Sequence, residues 1–175
     1  MYMKKAILLQ SLHHLASQGI WALSGRVLGR LLLESPQNLS VSLARASRDG
    51  HILRLGSGFY RNTLANLPWN HLELLANWLR SNEWFYLSLE SALHEVGFIQ
   101  QVPNRLVFVT TGRSYVYETP LGILEFIHTQ RDLSRCWNQI IPDWRRGIRV
   151  ADPELAWADL RRSRRNVDLV GEMEV

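Results

Sequence analysis

Four breaks punctuate the first third of the chain: Gly19, Pro36, the Asp49-Gly50 pair and the Gly56-Ser57-Gly58 triplet. Each piece between them is long enough for one helix or one short hairpin and nothing larger. From Lys4 to about Ser17, Leu8, Leu12 and Leu15 recur at the i, i+4, i+7 spacing of an amphipathic helix, and Gly19 ends it. Ile20-Trp21-Ala22 reads as a short extended link. Ser24 is placed to cap a second helix with Val27, Leu28, Leu31 and Leu32 facing inward. That helix must stop before Pro36, because the residue preceding a proline disfavours helical geometry. Pro36 then opens a third helix, Gln37 to Arg48, since its missing N–H costs nothing in a first turn.

At about 100° per residue, Leu39, Leu43 and Ala46 share the inner face of that third helix. The opposite face carries Gln37, Asn38, Val41, Ala44, Arg45 and Arg48. Guanidinium and amide groups beside small apolar side chains are what reads base edges in a major groove: Arg to guanine, Asn and Gln to adenine, a methyl to thymine. The plainer reading of Arg45 and Arg48 is a solvated face, and the segment from His51 to Arg61 decides between the two. His51 to Leu55 is a short strand, Gly56-Ser57-Gly58 a tight turn, and Phe59-Tyr60-Arg61 the returning strand. Three helices and a hairpin form a winged helix-turn-helix, in which Arg54 and Arg61 would rest on phosphates. The triplet is neither a Gly-x-Ser-x-Gly nucleophile elbow nor a phosphate loop, as no Gly-Lys-Ser/Thr comes after it.

Charge points the same way. The net charge of +4 hides eight basic and two acidic residues in 1–62, a local +6, against −2 for the rest. Such an excess suits a polyanionic partner. No apolar run approaches the ~20 residues of a membrane span. The start, Met1 to Leu9, has the charge of a signal peptide, but its apolar stretch breaks at Gln10, Ser11, His13 and His14. Cys136 is the single cysteine, which excludes an internal disulfide or a cysteine-cage metal site. A cytoplasmic protein is the expectation.

Asn62 to Asn66 is a polar break, so two domains are expected, residues 1–66 and 67–175. A bridging helix over 67–81 starts at Pro68, with Trp69, Leu72, Leu75, Ala76 and Leu79 at helical spacing; Trp69, Trp78 and Trp84 read as packing anchors. From Phe85 the texture is α+β. Ser88 is placed to cap a helix over 89–96, with Gly97 as its C′ residue. Leu106 to Thr111 reads as a strand buried on both faces, followed by strands over 115–118 and 123–128. Short connections favour antiparallel pairing. Asp152-Pro153-Glu154 starts a last helix with Leu155, Ala158 and either Ala156 or Asp159 inward, closed by Arg161 to Arg165; the tail from Val167 is expected to be weakly ordered. The fold class is α+β: a winged helix-turn-helix followed by a mixed α/β domain with antiparallel strands.

Enzymatic signals are weak. Glu90, Glu95, Glu118 and Glu125 invite a nuclease reading, but the only lysines are Lys4 and Lys5, and no Glu-x-Lys exists. A helix cap for Glu90, and salt bridges to Arg105 or Arg113 for the others, explain them more simply. His13-His14 cannot share one helix face. His128 and Cys136 lack an orienting third group, so neither zinc nor nucleophilic chemistry is expected there. No cofactor is expected.

Several segments are distinctive together: Phe85 to Leu93, Gly97-Phe98-Ile99, Pro103, Phe108 to Arg113, Tyr117 to Gly122, and Ala151 to Ala156 with Asp159. They resemble the AbiEi family of antitoxins, with Leu155 where that family usually carries lysine, and the resemblance covers nearly the whole chain. It implies the antitoxin of a type IV toxin–antitoxin pair from bacteria. The N-terminal domain would bind inverted repeats in its own promoter and repress it. The C-terminal domain would oppose a nucleotidyltransferase-like toxin, with or without direct contact. Nothing resembles a long coiled-coil dimerisation helix, so a monomer in solution is expected, with two copies on the operator. The alternative is a winged-helix regulator whose second domain binds a ligand or acts as a nuclease.

Overall fold

The structure is a computed structural model and describes residues 2–163. It divides into two compact units, Met1–Trp69 and Asn70–Val175. The expected tail from Val167, and Arg164 and Arg165 at the end of the last helix, lie outside the described residues.

The first unit runs α1 (Tyr2–Ser17), β1 (Ala22–Ser24), α2 (Gly25–Leu31), α3 (Pro36–Arg48), β2 (Ile52–Gly56) and β3 (Phe59–Asn62). Its three strands are antiparallel in the order β1-β3-β2. This is the winged-helix layout, with a third strand where the sequence suggests only a link. Leu8, Leu12, Leu28, Leu32, Leu43, Ala46 and Ile52 form the core, as the helical stripes require. Val27 departs from expectation: it is exposed, because the seven residues of α2 bury only Gly25, Leu28 and Gly29. Ser24 does cap α2, its Oγ accepting from the Val27 N–H at 3.3 Å. The turn after α2 closes as a Schellman motif: the Leu33 N–H donates to Arg30 O and the Glu34 N–H to Gly29 O. Leu33 takes the left-handed position there at φ +50, where glycine is usual. Fully buried Asn62 fastens the sheet to α1, donating from Nδ2 to Leu12 O at 2.8 Å.

The second unit runs α4 (His71–Leu79), β4 (Phe85–Leu87), α5 (Leu89–Glu95), β5 (Arg105–Thr110), β6 (Tyr115–Thr119) and β7 (Gly122–His128). A 3-10 segment (Leu133–Gln139), β8 (Ile140–Asp143), β9 (Ile148–Ala151) and α6 (Pro153–Ser163) complete it. The helix expected from Pro68 starts three residues later, at His71. Six strands form one sheet in the order β6-β7-β5-β4-β9-β8. The expected antiparallel arrangement holds for β6–β7, β4–β5 and β8–β9, but β5–β7 and β4–β9 are parallel, so the sheet is mixed. The hairpin β6–β7 folds back so that β7, not β6, lies against β5. Residues Val107 to Thr110 of β5 are buried on both faces, as the apolar run implies. Tyr86, Val107, Val109 and Ala151 pack under α5 and α6. Phe85, Phe108 and Phe126 project to the opposite face in one aromatic cluster. On α6, Ala156 and Asp159 are buried and Ala158 is exposed.

Candidate nucleic-acid interface

Of the two acids in the first unit, Glu34 accepts from Ser42 Oγ at 2.9 Å, and Asp49 is bound by Lys5 Nζ at 2.9 Å. The Lys5 hydrogen bond and charge hold the Asp49 carboxyl below its ordinary range. Both negative charges are therefore engaged within the unit, and Arg26, Arg30, Arg45, Arg48 and Arg54 hold no salt bridge among the described residues.

The expected readers sit as the helical periodicity places them. Gln37, Asn38, Val41, Arg45 and Arg48 are all exposed on α3, opposite buried Leu43 and Ala46. Gln37, Val41, Ala44 and Arg48 fall within about 60° of one another around the axis, with Asn38 and Arg45 flanking them. The helix is held from behind at one close approach: a methyl group on Gly29 of α2 would lie 2.9 Å from Leu39 Cδ2.

The hairpin differs from expectation. Arg54 lies on edge strand β2 and is exposed; Arg61 lies on the central strand β3 and is half-buried. Arg54 pairs with Tyr60, and Arg61 pairs with Leu53 and Ala22, so the two guanidinium groups leave opposite faces of the ribbon. Only Arg54 shares the exposure of the α3 arginines. Arg61 Nε is buried without an acceptor among the described residues. Two further cations join them, beyond those the sequence singles out: Arg26 and Arg30, exposed and four residues apart on α2. Their i, i+4 spacing, opposite buried Leu28, is the signal that could have found them.

The wing turn is tied to the helices. The Gly25 N–H donates to Gly58 O at 2.7 Å, and a Cβ on Gly25 would meet Tyr60 at 3.2 Å. The position of the hairpin is thus set by the start of α2.

In the second unit, the distinctive segments meet in polar locks. Ser88 does not cap α5; its Oγ donates to Asp159 Oδ2 at 2.9 Å, and the Tyr86 hydroxyl donates to the same oxygen at 3.0 Å. Arg131 Nη2 reaches Asp159 Oδ1 at 3.0 Å. Burial pushes the Asp159 carboxyl up against these partners, and burial and the Asp159 charge push the Tyr86 phenol up, so it stays protonated. Thr110 Oγ1 donates to Glu83 and accepts from the Gly112 N–H. A side chain on Gly112 would overlap the Glu83 carboxylate. Arg146 joins three elements: it bonds Glu95 of α5 at 2.9 Å and Asp143 of β8 at 2.8 Å, and lies 3.9 Å from Glu73 of α4. Burial opposes its charge, but Glu95 and Asp143 outweigh that and hold the guanidinium firmly protonated. Arg105 binds Glu125 at 3.0 Å, as expected, and Cys136 is buried. Trp69 and Trp84 are not packing anchors; they are 70% and 45% exposed. Among the described residues, no group of three His, Cys, Asp or Glu side chains is arranged to hold a metal ion, and no helix is long and apolar enough to cross a membrane.

No protein-family model matches the chain, and no curated protein matches it. Among solved structures, the chain is similar to the RV2827C protein of Mycobacterium tuberculosis, with a TM-score of 0.59 at 15% identity. The match covers 90% of this chain and 60% of that one, so the chain spans about three-fifths of that protein's length. At this identity the likeness establishes the fold alone: an α+β chain with a winged-helix first unit and a mixed-sheet second unit.

Proposed function

We propose that this chain is a DNA-binding antitoxin that represses its own promoter and counteracts a nucleotidyltransferase-like toxin. The observation that carries the DNA half is the exposed basic surface of the first unit, whose two acids, Glu34 and Asp49, are engaged by Ser42 and Lys5. There Arg45 and Arg48 on α3 stand with Gln37, Asn38 and Val41, while Arg26, Arg30 and Arg54 remain unneutralised. On this reading α3 enters the major groove, and Arg26, Arg30 and Arg54 hold phosphates. Arg61 takes a lesser part. Two copies sit on inverted repeats, in the cytoplasm.

The antitoxin half rests on the resemblance of the segments around Phe85 to Leu93, Phe108 to Arg113 and Asp159 to the AbiEi family. Those segments build the Asp159 and Glu83 locks, so they account for a folded second domain and leave the toxin-facing surface unassigned.

The test uses the full chain with Arg45 and Arg48 both replaced by Ala. On DNA from upstream of its own gene, the wild type gives an electrophoretic shift and the double variant does not. Both proteins rescue growth of cells expressing the cognate toxin from an unrelated promoter. An unaltered shift removes the groove assignment; loss of rescue along with the shift would place Arg45 and Arg48 in toxin antagonism as well as in DNA binding.

A further inference from the structure

On the second unit, a cleft of about 500 Å3 opens at the amino ends of the parallel strands β4 and β9, within the ~300–1,000 Å3 usual for ligand sites. One wall is the end of α4 and the turn after it, carrying exposed Ser81 and Asn82. The other is Trp84 and Arg149. The Arg149 guanidinium lies 4.1 Å from the centre of the Trp84 ring, and Trp137 stands edge-on to Trp84 with centroids 5.1 Å apart. These indoles remain 45% and 50% exposed, and Trp144, in the β8–β9 turn that also supplies Gly147 to the cleft, is 87% exposed. Charge in the cleft is unbalanced. Arg80 is neutralised by Glu83 at 2.6 Å, whereas Arg149 has no acidic partner among the described residues.

We propose that this cleft binds unpaired nucleotides of a single-stranded nucleic acid. Flat indole faces beside a free guanidinium are the elements that hold single strands, because every base has a π-face and every linkage a phosphate. Bases stack on the part of Trp84 that Arg149 leaves uncovered and on Trp137, which stands beside the cleft and outside its lining. Arg149 presents its edge to a phosphate while its plane stays on Trp84, and Ser81 and Asn82 meet base edges. Paired bases of a duplex offer no free face to an indole, so this activity is separate from that proposed for α3. An acidic peptide would use the charge and leave the indoles idle. A lone nucleotide would occupy one indole and leave the other unused.

The experiment uses the full chain carrying Arg45→Ala and Arg48→Ala, so that the duplex interface contributes least. Its probe is a labelled oligo(dT) of about fifteen nucleotides, read by fluorescence anisotropy. The expected result is binding that weakens about tenfold in Trp84→Ala and in Trp137→Ala and is largely kept in Trp137→Phe. Arg149→Ala should flatten the salt dependence of binding. Unchanged affinity in both tryptophan-to-alanine variants overturns the proposal. So does equal competition by thymidine monophosphate, or displacement by poly-glutamate as effective as by unlabelled oligonucleotide. Because Trp84→Ala could disturb the sheet, the unmutated chain is also photocrosslinked to an oligonucleotide carrying 5-iodouracil. Adducts on Trp84, Trp137 or Trp144 support the site, and adducts confined to residues 1–69 refute it.

Discussion

Ser88 Oγ and Asp159 Oδ2 meet at 2.9 Å although they are 71 residues apart, joining the end of β4 to the buried side of α6. Ser88 is fully buried and Asp159 nearly so. The bond takes from α5 the side-chain cap that a serine before a helix normally provides. The next residue, Leu89, is buried in the left-handed region at φ +52. Together, serine and leucine turn the chain from strand to helix in two residues.

Asp159→Ala strands the Arg131 charge and two hydroxyl donors, and should cost about 3–5 kcal/mol of unfolding free energy by urea titration. Asp159→Asn is milder and reports on protonation. Since burial raises the folded-state pKa above the 3.8 of the unfolded chain, the folded state binds more protons between those two values. The contribution of this group to stability therefore falls as pH rises through that window. The advantage of the wild type over Asp159→Asn should be larger at about pH 3.5 than at about pH 7. An advantage that grows towards neutral pH would show that the Arg131 attraction outweighs burial.

Arg146 ties α4, α5 and the β8–β9 hairpin into one ionic cluster, with only 14% of its side chain exposed. Arg146→Ala leaves the buried Glu73 carboxylate without its nearby cation and should destabilise the second unit by about 3 kcal/mol. Arg146→Lys should recover part of that, because one ammonium cannot reproduce the paired guanidinium contacts. Equal denaturation midpoints for the alanine and wild-type proteins would mean that water replaces the arginine at no cost.

Leu33 is 82% exposed in a left-handed conformation that costs a side-chain-bearing residue about 1–2 kcal/mol. Leu33→Gly removes that strain and adds unfolded-state entropy worth about 0.5–1 kcal/mol. The first unit should gain up to about 1 kcal/mol. Destabilisation by Leu33→Gly would show that the leucine packs on something in solution.

Arg45→Ala and Arg48→Ala should each weaken binding to the preferred operator by about 1–3 kcal/mol and relax discrimination at one base position. Arg54→Ala should weaken operator and unrelated duplex alike and reduce the salt slope by about one. Arg61→Ala should have the smallest effect of the four. Filter binding at several salt concentrations separates these behaviours, and a uniform loss in all four would reduce the interface to charge alone.

The winged-helix unit is legible in the sequence because its breaks are chemical: Pro36 starts α3, and Gly56 and Gly58 take φ of +107 and +79 in the wing turn. The exposed face of α3 comes from periodicity alone. The second unit is harder to read, for a physical reason. Strands β4, β8 and β9 have three or four residues each, too few for a period to show, and β4 pairs with β9 some sixty residues along the chain. The parallel pairing of β5 with β7 is hidden because a short connection shows which strands are joined, not which lie side by side. Trp84 misleads because hydrophobicity does not reveal whether a residue at a strand end has anything above it. Ser88 reads as a cap because its true partner, Asp159, is remote in sequence.

The pairing of Leu87 with Val150 has a temporal consequence during synthesis. The first unit has all three of its strands once Asn62 has left the ribosome. β4 instead has one flank unpaired until β9 is made, some sixty residues later. At ~5–20 residues per second that wait lasts several seconds. Throughout it, Phe85, Tyr86 and Leu87 present an open hydrogen-bonding edge to any other nascent strand. Polypeptide emerging in this order makes the second unit the one whose yield should respond to translation speed and to holding chaperones.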